Sequence, residues 1–66
     1  MKTKTFTYTN NLGLRKQLVV DMEINNEGKY SVNLFGPHGD WCGSGEMTEK
    51  ELNDYLAHYG IKERIA

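Results

Sequence analysis

Three short turns punctuate the chain, and their positions leave few folds open. NNLG spans Asn10 to Gly13, NNEG spans Asn25 to Gly28, and GPHG spans Gly36 to Gly39. Each ends on glycine, two lead with asparagine, and the third carries proline second. Those are the preferences of a type I turn. A type I turn followed by a residue with positive φ closes a three-residue hairpin loop with a glycine bulge. Three such loops imply three hairpins and four strands.

The segments between the turns alternate apolar and polar residues, the period-2 pattern of a half-buried antiparallel strand. In the first, Phe6 and Tyr8 lie on one side and Thr5, Thr7 and Thr9 on the other. In the second, Leu18, Val20, Met22 and Ile24 share a face, and in the third Tyr30, Val32 and Leu34 do. After Met47 the period changes. Leu52, Tyr55, Leu56 and Tyr59 recur at helical spacing, and Thr48 with Glu51 forms a capping box at the start. Met47 is placed to staple onto Leu52. Gly60 is placed to stop the helix, with Ile61 returning to Leu56 in a Schellman motif. The expected fold is α+β: a four-stranded antiparallel β-meander with one C-terminal α-helix packed on one face. Strands are expected at about 3–9, 14–24, 29–35 and 40–46, and a helix at about 49–59, in a single small domain over residues 1–66. The KERIA tail reads as frayed or loosely docked.

The turns also predict which residues face each other. Phe6 is expected opposite Leu18, Val20 opposite Leu34, Met22 opposite Val32, Ile24 opposite Tyr30, Leu34 opposite Cys42 and Phe35 opposite Trp41. On this register the core face carries Phe6, Leu18, Val20, Met22, Ile24, Tyr30, Val32, Leu34 and Cys42, and the helix covers it. A slip of one residue would turn a strand inside out. The agreement between turn chemistry and hydrophobic pattern therefore supports the assignment.

The opposite face is expected to be polar and solvated, with three exceptions. Val19, Phe35 and Trp41 fall there, and the expected register sets them in one row completed by Thr5, with Gly43 and Gly45 bare beside it. An apolar row on a polar face marks a contact surface, and tryptophan is enriched at binding hot spots. Val19, Phe35, Trp41 and Thr5 are therefore the candidate binding residues. The alternative is a structural role, with cross-strand pairs contributing roughly 0.2–1 kcal/mol each to the sheet.

Composition narrows the function classes. Lys and Arg number 8 and Asp and Glu 9 in 66 residues, a formal charge of −1, which argues against a dedicated nucleic-acid binder. The single cysteine excludes an internal disulfide and suits a reducing compartment. No secretory leader or membrane-spanning run is apparent, so the expected location is the cytoplasm. His38, Asp40 and Cys42 alternate, but the turn reading puts His38 at a loop tip and Cys42 towards the helix. One cysteine and two histidines make a poor structural zinc set. The glycines of GPHGDWCGSGE lack the phosphate-loop pattern.

No metal, cofactor or catalytic residue is expected, and the chain is read as a non-enzyme. The expected function is a small interaction module binding a protein partner, or itself as a homodimer, through the apolar row. Phage and mobile-element accessory proteins, including inhibitors of host defence, share this size and style. The alternative is single-stranded nucleic-acid binding, with bases stacking on the same face and Lys2, Arg15, Lys16 and Lys29 meeting phosphates. Asp21 and Glu23 on that face count against it.

Overall fold

Each turn closes as its sequence dictates. In the computed structural model, which describes residues 2–65, the Gly13, Gly28 and Gly39 amides donate to the carbonyls of Asn10, Asn25 and Gly36 at 3.0, 3.0 and 3.1 Å. These three glycines have φ of 78°, 76° and 78°. A side chain there would meet the penalty of the left-handed region. The two asparagines add a second lock. Asn10 Oδ1 accepts from the Leu12 and Leu14 amides, and Asn25 Oδ1 from the Glu27 and Lys29 amides, all at 2.9–3.0 Å. At the third turn the leading residue is glycine, and the Asp40 carboxylate folds over it. A Cβ on Gly36 would stand 2.9 Å from Asp40 Oδ1.

The chain runs β1 (Thr3–Thr9), β2 (Arg15–Asp21), β3 (Tyr30–Phe35), β4 (Trp41–Met47) and α1 (Glu49–His58). The strands form one antiparallel sheet in the order β1-β2-β3-β4. This is the α+β meander with a C-terminal helix. β1 and β2 pair in the expected register, with Phe6 opposite Leu18 and Thr5 opposite Val19.

Two irregularities separate the other pairings from that register. Between β2 and β3, Leu18 faces Leu34, Val19 faces Asn33 and Val20 faces Val32. The closing pair of the turn is nevertheless Asn25 and Lys29, joined at 2.9 Å. Two residues are therefore taken up between Asp21 and Ile24. Asp21 Oδ1 accepts from the Glu23 amide at 3.0 Å, and the Met22 amide donates to the Lys2 carbonyl at 2.9 Å. This local turn competes with the ladder, so β2 stops at Asp21, short of the 14–24 span that alternation predicts. A shift of two preserves which face each side chain takes. It does move Ile24 out of the core, where it is 57% exposed.

The second irregularity is a bulge. Phe35 faces Trp41, but Leu34 faces Gly43, leaving Cys42 as the extra residue of β4. A one-residue insertion inverts everything beyond it. Gly43, Gly45 and Met47 therefore lie on the helix side, opposite Leu34, Val32 and Tyr30, and Ser44 and Glu46 lie on the open side. The expected placement of the two glycines on the open face is corrected by this bulge. So is the expected pairing of Cys42 with Leu34 in the core, since Cys42 is exposed.

The core is built from Phe6, Tyr8, Leu18, Val20, Tyr30 and Val32 under Leu52 and Leu56 of α1. Burying each such side chain contributes roughly 1.5–3 kcal/mol. The helix starts at the expected capping box, with the Glu51 amide donating to Thr48 Oγ1 at 3.2 Å and the Thr48 amide to Glu51 Oε1 at 2.9 Å. It ends in the expected Schellman motif. The Ile61 amide donates to the Leu56 carbonyl at 3.0 Å and the Gly60 amide to the Ala57 carbonyl at 3.1 Å. The tail is docked rather than frayed, because Ile65 is buried against the core.

Candidate functional site

The open face is laid out in cross-strand rows. Thr5, Val19, Asn33 and Ser44 form one row. Thr7, Gln17, Phe35 and Trp41 form the next. The expected row of Thr5, Val19, Phe35 and Trp41 is thus divided between two neighbouring rows. The cause is the pair of residues absorbed at the end of β2, which moves Val19 from Phe35 to Asn33. Phe35 and Trp41 remain directly opposed, and Val19 sits one row away.

Trp41 is 62% exposed, yet it is held in place. Its indole N–H donates to Asn33 Oδ1 at 3.2 Å across β3. Phe35 and Val19 are half-buried, and Thr5 is exposed. Asparagine at 33 thus occupies the place the expected row gave to an apolar contact, and it orients the indole instead. The rest of the face is threonine, serine and glutamine, with Arg15 at one end and Asp21 and Glu46 at the other. Charge of both signs surrounds the aromatic pair, with no basic track leading to it.

Of the remaining candidates for chemistry, Asp40 and Cys42 meet, with Cys42 Sγ 3.8 Å from Asp40 Oδ2, and His38 stands apart. His38 is exposed in the third loop. Cys42 Sγ donates weakly to the Asp40 carbonyl at 3.6 Å, and Lys16 Nζ donates to it at 3.7 Å. Among the described residues, no group of three His, Cys, Asp or Glu side chains is placed to hold a metal ion. No helix of the described residues is long and apolar enough to cross a membrane.

The helix-side tyrosines pack against one another. Tyr8 stacks on Tyr59 with ring centroids 4.3 Å apart and meets Tyr55 edge-on at 6.0 Å. The Tyr8 and Tyr55 hydroxyls share a hydrogen bond. Burial, and then this neighbour, push the Tyr8 hydroxyl well above the usual tyrosine range. His58 packs edge-on against Tyr59 at 4.8 Å.

One feature escapes the sequence reading. The bulge at Cys42 opens a cleft of about 230 Å³ between α1 and the β3–β4 hairpin, over Gly43 and Gly45. The glycines are its trace in the sequence, and alternation counted from the turn assigns them to the opposite face because the bulge intervenes.

The sequence matches no protein-family model, no curated protein and no solved structure.

Proposed function

We propose that this protein is a non-enzymatic binding module that engages a protein partner, or a second copy of itself, through the open face around Trp41 and Phe35, with Val19 and Thr5 at the margin. The observation that carries this reading is the Trp41–Asn33 bond. A large exposed ring already fixed by a hydrogen bond loses little side-chain freedom on binding, and tryptophan supplies much of the energy at interfaces that use it. The surrounding threonines, serines and asparagine form a polar rim, the usual setting of such an anchor.

The test compares the wild type with Trp41→Ala and Phe35→Ala by sedimentation and by capture of a partner, with urea unfolding as the control for folding. Loss of association in variants that stay folded supports the proposal. Variants that unfold while their folded fraction still associates would make the aromatic pair part of the structure. A single-stranded oligonucleotide that quenches Trp41 fluorescence, with affinity falling steeply as salt rises, would replace a protein partner by nucleic acid.

A further inference from the structure

The two edges of the sheet are guarded differently. At β1, Lys4 points towards the helix side, bonds Glu63 of the tail at 3.0 Å and lies over the Phe6 ring. An inward lysine on an edge strand discourages further pairing. β4 has no inward lysine of its own, and its bulge at Cys42 interrupts only the start of the strand, before Gly43. From Gly36 to Glu49 the chain contains no lysine or arginine, and the proline of that segment lies in the loop before the strand. The outer backbone groups of β4 have no neighbouring strand.

Beside this edge lies the cleft. Its walls are Leu18, Val32, Leu34, Met47 and Tyr55, and its β4 side is the bare backbone at Gly43 and Gly45. A Cβ built on either glycine meets no atom within 4 Å. At about 230 Å³ the cleft is below the roughly 300–1,000 Å³ of pockets that enclose whole small ligands. It suits one apolar side chain. Asp40, Glu46 and Glu49 are exposed along and beside β4; the Glu46 carboxylate accepts from Asn25 Nδ2, and Lys16 Nζ lies 3.7 Å from Cys42 Sγ at the start of the strand.

We propose that β4 is a second binding site, separate from the open face, which takes an extended peptide by strand addition. The peptide would pair with the free edge, place one apolar side chain in the cleft over Gly43 and Gly45, and carry basic residues beside Asp40 and Glu46. Strand addition draws affinity from main-chain hydrogen bonds and specificity from pockets for alternate side chains. An open edge with an apolar pocket on one face provides both.

The test uses a capped heptapeptide of alternating threonine and valine, with leucine at its centre and lysine at each end. It is titrated into the full-length protein and followed by amide NMR and hydrogen exchange. The expected result is saturable binding, slowed exchange of β4 amides, and shifts at Leu34, Met47 and Tyr55. Replacing the central leucine by alanine, or the lysines by glutamates, should weaken binding about tenfold or more. Gly45→Leu, which fills the cleft from within, should do the same, whereas Leu12→Ala, in the exposed loop between β1 and β2, should change it by less than about threefold. The peptide substitutions keep the test decisive if Gly45→Leu does not fold. No saturable binding, equal binding of the leucine and alanine peptides, or shifts centred on Phe35 and Val19 would overturn the proposal. Concentration-dependent protection of β4 in the free protein would also overturn it, giving the edge to a second copy. Failure of the open-face reading would leave these outcomes unchanged.

Discussion

Asn53 grips the backbone of Ile65 from both sides. The Ile65 amide donates to Asn53 Oδ1 at 2.7 Å, and Asn53 Nδ2 donates to the Ile65 carbonyl at 3.0 Å. A side-chain amide has one acceptor and two donors, so it can replace a strand neighbour at a single residue. This clasp sets Ile65 into the core, only 2% exposed. It extends a small core at a point where helical periodicity alone stops.

Asn53→Ala should therefore destabilise the fold by about 1–3 kcal/mol, two net hydrogen bonds at roughly 0.5–1.5 kcal/mol each. Ile65→Ala should cost about 2–5 kcal/mol if the site relaxes little. Lys4→Ala, which removes an exposed ion pair to Glu63, should cost less than about 1 kcal/mol. Urea unfolding measures all three. A loss for Asn53→Ala no greater than that for Lys4→Ala would mean the tail contributes nothing to the core.

Tyr8 should give the fold an alkaline limit. Its hydroxyl ionises less readily in the folded protein than in the unfolded chain, because of burial and the Tyr55 hydroxyl beside it. Above about pH 10, where an unfolded tyrosine loses its proton, the folded state holds more protons than the unfolded one. Stability contributed by Tyr8 is thus complete below about pH 10 and falls as pH rises beyond it. Tyr8→Phe should flatten this decline, at a cost of about 1 kcal/mol near neutrality for the lost hydrogen bond. Urea midpoints between neutral and strongly alkaline pH provide the measurement. A decline of unchanged slope in Tyr8→Phe would assign the limit to other groups.

The acid side has a smaller counterpart at the helix start. Hydrogen bonds from Thr48 hold the Glu51 carboxyl below the usual glutamate range. Its contribution is present above that range and lost as pH falls through the folded value. Thr48→Ala should cost about 1 kcal/mol at neutral pH while keeping the backbone amide that bonds the Glu51 carboxylate, whereas Glu51→Gln should remove the carboxyl's share of the acid sensitivity. An acid-unfolding profile unaltered by Glu51→Gln would show that the capping box does not set it.

Much of this architecture is legible in the sequence because its determinants are local. Turn closure depends on Asn10, Asn25 and three glycines within a few residues of one another, and helix capping on Thr48, Glu51 and Gly60. These interactions need no knowledge of the rest of the chain. The irregularities are harder to read because they arise from competition. The Asp21 side chain bonds the Glu23 amide in place of the ladder, and Cys42 is left over where β4 bends. Nothing in alternating polarity distinguishes a strand that keeps its register from one that absorbs two residues. For the candidate site, Phe35 opposite Trp41 follows from the third turn, since only the turn separates them. Alternation misaligns Val19 because the disturbed end of β2 lies between it and its turn. The Asn33 contact to the indole was hidden by the same shift.

The glycine of the second turn tests the local half of that argument. Gly28 has φ of 76° and open space around its Cβ position, so Gly28→Ala isolates backbone strain from packing. The expected loss is about 1–2 kcal/mol, without change in the residues that pair across β2 and β3. Asn25→Ala removes the two amide contacts of the same loop and should cost a similar amount. Thermal unfolding with amide NMR separates the cases. A neutral Gly28→Ala would mean that the loop relaxes into another turn at no cost.

Ile24 and Leu52 test the distant half. If the second turn alone dictated the register, Ile24 would face Tyr30 inside the core, and shortening it would cost what shortening a buried aliphatic residue costs. The structure leaves Ile24 57% exposed and Leu52 fully buried. Ile24→Ser should therefore change stability by no more than about 0.5 kcal/mol, as expected for a surface position. Leu52→Ala should cost about 2–5 kcal/mol. Urea unfolding of the two variants gives the comparison directly. Losses of similar size would return β2 to the uninterrupted register, align Val19 with Phe35 and Trp41, and restore the single apolar row across the open face.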